Sequence, residues 1–336
     1  MELLFLFLVS LLASALITGL VRRLSQRTRL VDVPGARSAH HRPAPTGGGL
    51  GIVTPFGLVC CYCLQSGLIH TDQFLALAGG LFVALTGLAD DRSQLALRWR
   101  LPAQFAAALW SLFWLGSLPE ISLGGLLELS GPLLAFLAFL ALVWLLNLYN
   151  FMDGIDGLAG TEVVFVTLLS SLLVIRTDSI VLTLSVSLLA ASLGFLIWNW
   201  PPARIFMGDV GSGFLGFTLG ILALLSMQSG GLTVWTWFIL LNVFIVDATV
   251  TLLRRILAGE RWYEGHDRHA YQQAARHFGS HRLVTIAILT INCFWLAPLA
   301  WAATVWPVAG MYLSLLATAP LLFLVLKIQA GRPAAG

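Results

Sequence analysis

Aspartates mark the ends of several apolar runs in this 336-residue chain. Asp90 and Asp91 close one such run. A helix C-terminus is the negative end of its dipole, so two adjacent carboxylates there are doubly unfavourable unless a cation joins them. A divalent metal or Arg92 would serve, and two solvated loop acids are the plainer alternative. Further on, Asn147, Asn150, Asp153 and Asp156 recur at strict intervals of three within a segment carrying two Asp-Gly pairs. On a helix this spacing makes a slowly drifting stripe that lines one wall. Amides and carboxylates at the end of a lipid-embedded run call for a polar cavity. Asp156 alone also fits an N-cap of the following helix.

A glycine-rich turn, Gly208-Asp209-Val210-Gly211-Ser212-Gly213, leads into another apolar run. Backbone amides at such a helix start, with Gly211 and Ser212, can face a phosphate while Asp209 offers an oxygen ligand to Mg²⁺. The segment 253–282 holds six Arg, Arg268 among them, together with His266 and His269. It has no Cys, so contact with phosphate suits the paired histidines better than zinc ligation. His277 and His281 read as surface residues, and Asp247 as a partner of Arg254 or Arg255 or a lining of the same cavity. Segment 21–46 is stiffened by Pro34, Pro43 and Pro45, carries Arg37 and His40, and runs into Gly47, Gly48 and Gly49.

The elements that must position these groups follow from composition. Hydrophobic residues make up 58% of the chain and charged ones 10%, with a mean hydropathy of +0.87, which excludes an ordinary soluble domain and predicts an all-α, polytopic membrane protein. Eleven spans are expected, near 1–20, 47–64, 73–89, 101–118, 131–148, 157–175, 179–198, 211–228, 232–252, 283–304 and 306–327. The run 1–20 reads as a first span rather than a cleaved leader, because it begins with Glu2 and its positive charge comes only afterwards. Of the 19 Lys and Arg, all but Arg176 then fall in one set of loops or at its border. By the retention of cations inside, this places the N-terminus outside and the C-terminus in the cytoplasm. One membrane-embedded catalytic domain is expected, with its active site built from segments 21–46, 90–100, 149–156, 199–210 and 253–282. Cys60, Cys61, Cys63 and Cys293 lie in apolar runs and read as packing residues.

Taken together, these motifs resemble the polyprenyl-phosphate N-acetylhexosamine-1-phosphate transferase superfamily, the MraY/WecA-like membrane enzymes. The resemblance rests on Asp90-Asp91, the run from Asn147 to Leu158, the turn from Gly208 to Ser212, and the loop carrying Asp32, Pro34, Arg37, His40, Gly47 and Gly48. It implies transfer of a sugar-1-phosphate from a UDP-N-acetyl sugar to undecaprenyl phosphate with Mg²⁺, or Mn²⁺ in its place, releasing UMP. It also implies Asp209 as a metal ligand, Asp90 and Asp91 at the metal and the reacting phosphates, and Asp153 and Asp156 in the same catalytic pocket. Substrate contacts would come from Arg37, His40, Asn147, Asn150, Gly211, Ser212, His266, Arg268 and His269. Only two histidines precede Ala270-Tyr271, and Thr46 stands where relatives often carry Arg, which points to the branch that initiates O-antigen or other surface polysaccharides. The peptidoglycan phospho-N-acetylmuramoyl-pentapeptide transferases are the alternative. The expected setting is the bacterial cytoplasmic membrane, with the bilayer and both substrates as partners, a homodimer as a compatible assembly and no nucleic acid. A transporter would place its acids near the midplane, and an intramembrane aspartyl protease needs two within spans. Here they gather at one face, and Asp247 is the one clearly within a span apart from Glu162's carboxylate.

Overall fold

The computed structural model describes residues 1–28, 31–32, 44–261 and 266–332. Backbone groups in lipid must be satisfied within their own segment, and the apolar runs accordingly fold as helices. In chain order these are α1 Glu2–Thr28, α2 Leu50–Gln65, α3 Thr71–Ser93, α4 Leu97–Leu115, α5 Gly131–Met152, α6 Leu158–Val174 and α7 Ser179–Asn199. They continue as α8 Asp209–Gln228, α9 Val234–Leu240, α10 Asn242–Leu257, α11 Ala270–Phe278, α12 His281–Ile291, α13 Ala297–Val305 and α14 Gly310–Lys327. Two short antiparallel ribbons interrupt the expected all-α pattern. β1 Val31–Asp32 pairs with β2 Ala44–Pro45, and β3 Ile121–Leu123 pairs with β4 Leu127–Leu129.

Among the described residues, seven helical stretches are long and apolar enough to cross a membrane, and an eighth is reached if α9 and α10 count as one broken span. Each expected run carries a helix, although α2 and α6, at 16 and 17 residues, are shorter than a full crossing. The run 232–252 departs from an unbroken span: α9 and α10 meet at a 77° bend. Asn242 begins α10 fully buried and exchanges side-chain hydrogen bonds with Thr318 of α14, at 2.9 and 3.3 Å, which satisfies its amide inside the bundle. A π-helical turn, Asn292–Leu296, joins α12 to α13, and Asn292 there donates to the buried Glu162 of α6 at 2.5 Å. The four cysteines are free thiols, with Cys60 and Cys63 buried in α2.

Helix α8 is the axis of the bundle, with 94% of its apolar window buried. Its neighbours reach it through glycine. A Cβ on Gly87 of α3 would lie 2.4 Å from the Asp209 carbonyl oxygen, and one on Gly216 of α8 would lie 2.2 Å from that of Leu145 on α5. Small residues here let the backbones of α3, α5 and α8 approach closely. The C-termini of α3 and α5 are thereby brought beside the N-terminus of α8.

Candidate active site

Three residues, Gln94 to Ala96, connect α3 to α4, and Gln94 adopts a left-handed conformation at φ 46°. So tight a connection lays the first turn of α4 against the last turn of α3. Asp90 Oδ1 accepts the Leu95 N–H at 2.6 Å, and its Oδ2 lies 3.0 Å from the Arg100 guanidinium. Arg100 also reaches to 3.7 Å from Asp209 Oδ2. The cation beside the aspartate pair is thus Arg100, whereas Arg92 is exposed. Asn150 Nδ2 donates to Asp209 Oδ1 at 2.6 Å and to Ser212 Oγ at 3.1 Å. Asp90, Arg100, Gln104, Asn150 and Asp209 line one cavity among α3, α4, α5 and α8.

Asp91 behaves differently from its neighbour. Its two carboxylate oxygens accept the N–H groups of Asp209 and Val210, at 2.9 and 3.2 Å, and so cap α8. The next two amides, of Gly211 and Ser212, donate to the Gly208 carbonyl at 3.0 and 3.1 Å. The glycine-rich turn therefore spends these four amides internally rather than offering them to a phosphate. Gly208 itself has φ 75°, and a Cβ there would lie 2.6 Å from Asp91 Oδ2 and 2.8 Å from Thr46 Oγ1. The end of the first long loop runs along this turn: Phe206 N–H bonds to Pro45, Gly48 N–H to Phe206 and Gly49 N–H to Met207. Arg37 and His40 lie outside the described residues.

The three-residue stripe holds for part of its length. Asn147 and Asn150 lie on the last turns of α5, but Asn147 pairs with Gln104 at 2.8 and 3.3 Å and with the Val143 carbonyl at 2.7 Å, away from the carboxylates. The helix stops at Met152, Asp153 is its C-cap, and the Asp153-Gly154 step turns the chain before Asp156. Asp156 is consequently off the stripe, and Gly157, not Asp156, occupies the cap position of α6. Its Oδ2 accepts the Ala203 N–H at 3.0 Å and its Oδ1 lies 3.4 Å from His281 Nδ1, so His281 is a partner of the site loop rather than a bare surface residue. Burial, followed by the charges of Asp209, Asp91 and Asp156, pushes the Asp153 carboxyl well above the usual carboxylate range.

The histidine segment packs onto the end of α5. His266 and His269 stack with ring centroids 4.7 Å apart, and His269 stacks on Phe151 at 6.1 Å. His266 Nδ1 accepts the Arg268 N–H at 3.2 Å. Burial first, then the neighbouring His269, Arg255 and Arg268, push the His266 imidazole down to about 3, so it stays neutral near pH 7 and offers Nε2–H. Arg268 is turned to Glu260 at 2.6 Å, and Glu260 also binds Arg255 at 3.0 Å. Asp247 pairs with neither Arg254 nor Arg255. It receives the first turn of α11 and the His269 ring. Sequence reasoning missed Arg100 and His281; the short α3–α4 connection was the available signal for Arg100.

A family model for glycosyl transferase family 4 matches residues 73–227, the stretch from α3 through α8. A probable undecaprenyl-phosphate N-acetylglucosaminyl 1-phosphate transferase from Bacillus subtilis is 31% identical over 309 residues, covering 89% of this chain and 85% of that protein. A decaprenyl-phosphate N-acetylglucosaminephosphotransferase from Mycobacterium leprae is 29% identical over 81% of this chain and 76% of its own. A phospho-N-acetylmuramoyl-pentapeptide-transferase from Desulfatibacillum aliphaticivorans is 39% identical, but over 82 residues, 23% of this chain and 21% of its own.

Proposed function

Because the chain belongs to glycosyl transferase family 4, we propose that it transfers N-acetylglucosamine 1-phosphate from the UDP-sugar to a polyprenyl phosphate such as undecaprenyl phosphate. The observation that carries this reading is the convergence of Asp90, Asp91, Asn150, Asp153 and Asp209 at the adjoining ends of α3, α5 and α8. Similarity running the length of the N-acetylglucosaminyl 1-phosphate transferases favours that donor, while the peptidoglycan enzymes match about a quarter of the chain. The product would begin O-antigen or another surface polysaccharide. The protein is a multi-pass membrane protein, and we place it in the bacterial cytoplasmic membrane with eleven spans and its site on the cytoplasmic face. Tags at Gly35 and Gly265 on opposite sides would end that topology.

In the proposed reaction an oxygen of the acceptor phosphate attacks the phosphorus next to the sugar. The bond from that phosphorus to the bridging oxygen breaks, and UMP leaves with the oxygen. Two phosphate-bearing substrates repel, so positioning and charge neutralisation dominate the barrier. A phosphate monoester has its second pKa near 6, which leaves the acceptor largely dianionic at neutral pH without a general base. Asn150 fixes the Asp209 carboxylate by a hydrogen bond, Arg100 lends positive charge to the cavity, and the neutral His266 Nε2–H can donate to a phosphate oxygen. The carboxylates of Asp90, Asp91 and Asp209 offer oxygen ligands, which suits Mg²⁺ or Mn²⁺. The crowding that raises Asp153 is the electrostatic condition a divalent cation relieves. Among the described residues no trio of ligands is preformed, and Asp90 and Asp91 already accept other donors, so Asp209 with those two would rearrange to hold the ion. When bound, it would neutralise charge on the phosphates.

Purified protein incubated with undecaprenyl phosphate and a panel of UDP-N-acetyl sugars tests the proposal. We expect a lipid product whose mass is that of the polyprenyl pyrophosphoryl sugar, with UMP released. Release of UDP would mean direct glycosyl transfer and a different enzyme.

A further inference from the structure

We propose that Asp247 is a positioning residue that orients His269 and couples it to the end of α5; this rests on the reading that the His266/His269 segment serves the donor. Asp247 lies on α10, beyond the 77° bend, and is 3% exposed. Four donors converge on its carboxylate. Oδ1 accepts from the Ala270 N–H at 2.9 Å, from Thr251 Oγ1 at 3.2 Å and from His269 Nδ1 at 3.3 Å, and Oδ2 accepts from the Tyr271 N–H at 3.0 Å. A carboxylate buried inside a bundle is retained only with such compensation. Here the compensation also sets geometry.

Two consequences follow for the site. With Nδ1–H committed to Asp247, Nε2 is the ring nitrogen left for another partner, as in carboxylate–histidine pairs where the hydrogen bond at one nitrogen fixes the role of the other. Second, Tyr271 carries the same anchor across to α5. Its hydroxyl donates to the Phe151 carbonyl at 2.8 Å, two residues before Asp153, and a Cβ on Gly154 would lie 2.2 Å from that hydroxyl oxygen. Phe151, His269 and Tyr271 stack in sequence, with His269 6.1 Å from Phe151 and 5.7 Å from Tyr271. One buried acid thus holds the histidine and, through α11, the segment bearing Asp153.

A helix cap alone would lower stability without acting through His269, and a double-mutant cycle separates the two roles. The full-length protein in detergent is assayed with UDP-N-acetylglucosamine and undecaprenyl phosphate as wild type, Asp247→Asn, Asp247→Glu, His269→Ala and Asp247→Asn/His269→Ala. Asp247→Asn should lower kcat/KM for the donor by about 10- to 100-fold, the range for outer partners of functional histidines, with the acceptor KM unchanged. Asp247→Glu should restore part of the loss, and Asp247→Asn should cost much less in the His269→Ala background than in the wild type, leaving only the part carried through Tyr271. Additive losses on top of a crippled His269→Ala enzyme would overturn this inference alone. Unchanged donor kinetics in His269→Ala would overturn it together with the assignment of the segment to the donor. If Asp247→Asn does not accumulate, the cycle is run with Asp247→Glu, and additivity there overturns the proposal equally.

Discussion

Two helix N-termini, those of α8 and α11, are closed in the same way and differ in what surrounds the closure. Asp91 takes two amides at the start of α8, and Asp247 takes two at the start of α11. Around Asp247 the further neighbours are donors, His269 and Thr251, so its charge is compensated. Among the described residues, the carboxylates of Asp209 and Asp153 also lie near Asp91, with Arg100 bridging Asp90 and Asp209. The first arrangement is a latch. The second gathers carboxylates at the place where two phosphates are proposed to meet.

The sharpest way to break that contrast is at Asp209. Asp209→Asn keeps the Asn150 contact within reach but removes a charge from the cavity, and activity should fall by about a hundredfold or more while the fold survives. Turnover near the wild-type rate, measured as UMP release, would leave the α8 cluster as structure only. Gly208→Ala comes next. Its left-handed φ and the 2.6 Å approach to Asp91 Oδ2 leave no room for a methyl group, so we expect a loss of roughly 1–2 kcal/mol in stability. Activity should fall with it as Asp91 is displaced. Unaltered melting and turnover would show that the cap yields freely. Arg100→Gln should lower kcat/KM by about tenfold, the order of one lost charge-assisted contact. No change would assign Arg100 to structure alone.

Charge removal should act with opposite sign at Asp153, beside the α8 closure, and at Asp247, the α11 closure. Asp153→Asn should raise the melting temperature in detergent with chelator present, even as it lowers activity, because its ionisation is resisted by burial and three aspartates. A carboxyl whose folded pKa is raised costs stability as pH climbs from about 4, the unfolded value, through the folded one. The wild type should therefore lose stability over that rise more steeply than the Asn variant. Asp247→Asn should instead lower the melting temperature, since it strips acceptors from buried donors. Both variants shifting in the same direction would dissolve the distinction.

Much of this arrangement was legible in the sequence because it rests on local rules. Apolar length located the helices, and the aspartates at their ends announced a polar face. The Asn147–Asp156 spacing was legible only as far as Met152, since the Asp153-Gly154 step ends the helix and spacing alone does not show that. The bend between α9 and α10 depends on Asn242 finding Thr318, 76 residues away, and no local pattern encodes that. His281 looked like a surface residue for the same reason, its partner Asp156 being 125 residues distant. Asp247 could be read as an intramembrane acid, but its saturation by α11 needed the fold of the loop that follows it.

The smallest expected effect concerns His266, the outer ring of the stacked pair. Its pKa is pushed down to about 3 from an unfolded value near 6.5, so between those pH values the unfolded chain binds a proton that the folded segment does not. Stability contributed by this residue is full above about pH 6.5 and drains away as pH falls toward 3. The ring is partly exposed, and solvent screens it, so the loss should be local to the segment rather than global. Hydrogen-exchange protection of residues 266–275, taken relative to the intrinsic exchange rate at each pH, should weaken on acidification from pH 7 to pH 5 in the wild type. His266→Gln, which keeps a side-chain polar group but does not titrate, should flatten that dependence, and exposed His277→Ala should leave it as it is. The α11 segment would then be a latch with one weak, acid-sensitive edge. Equal acid sensitivity in His266→Gln would move the titrating group elsewhere and leave His266 as packing against His269.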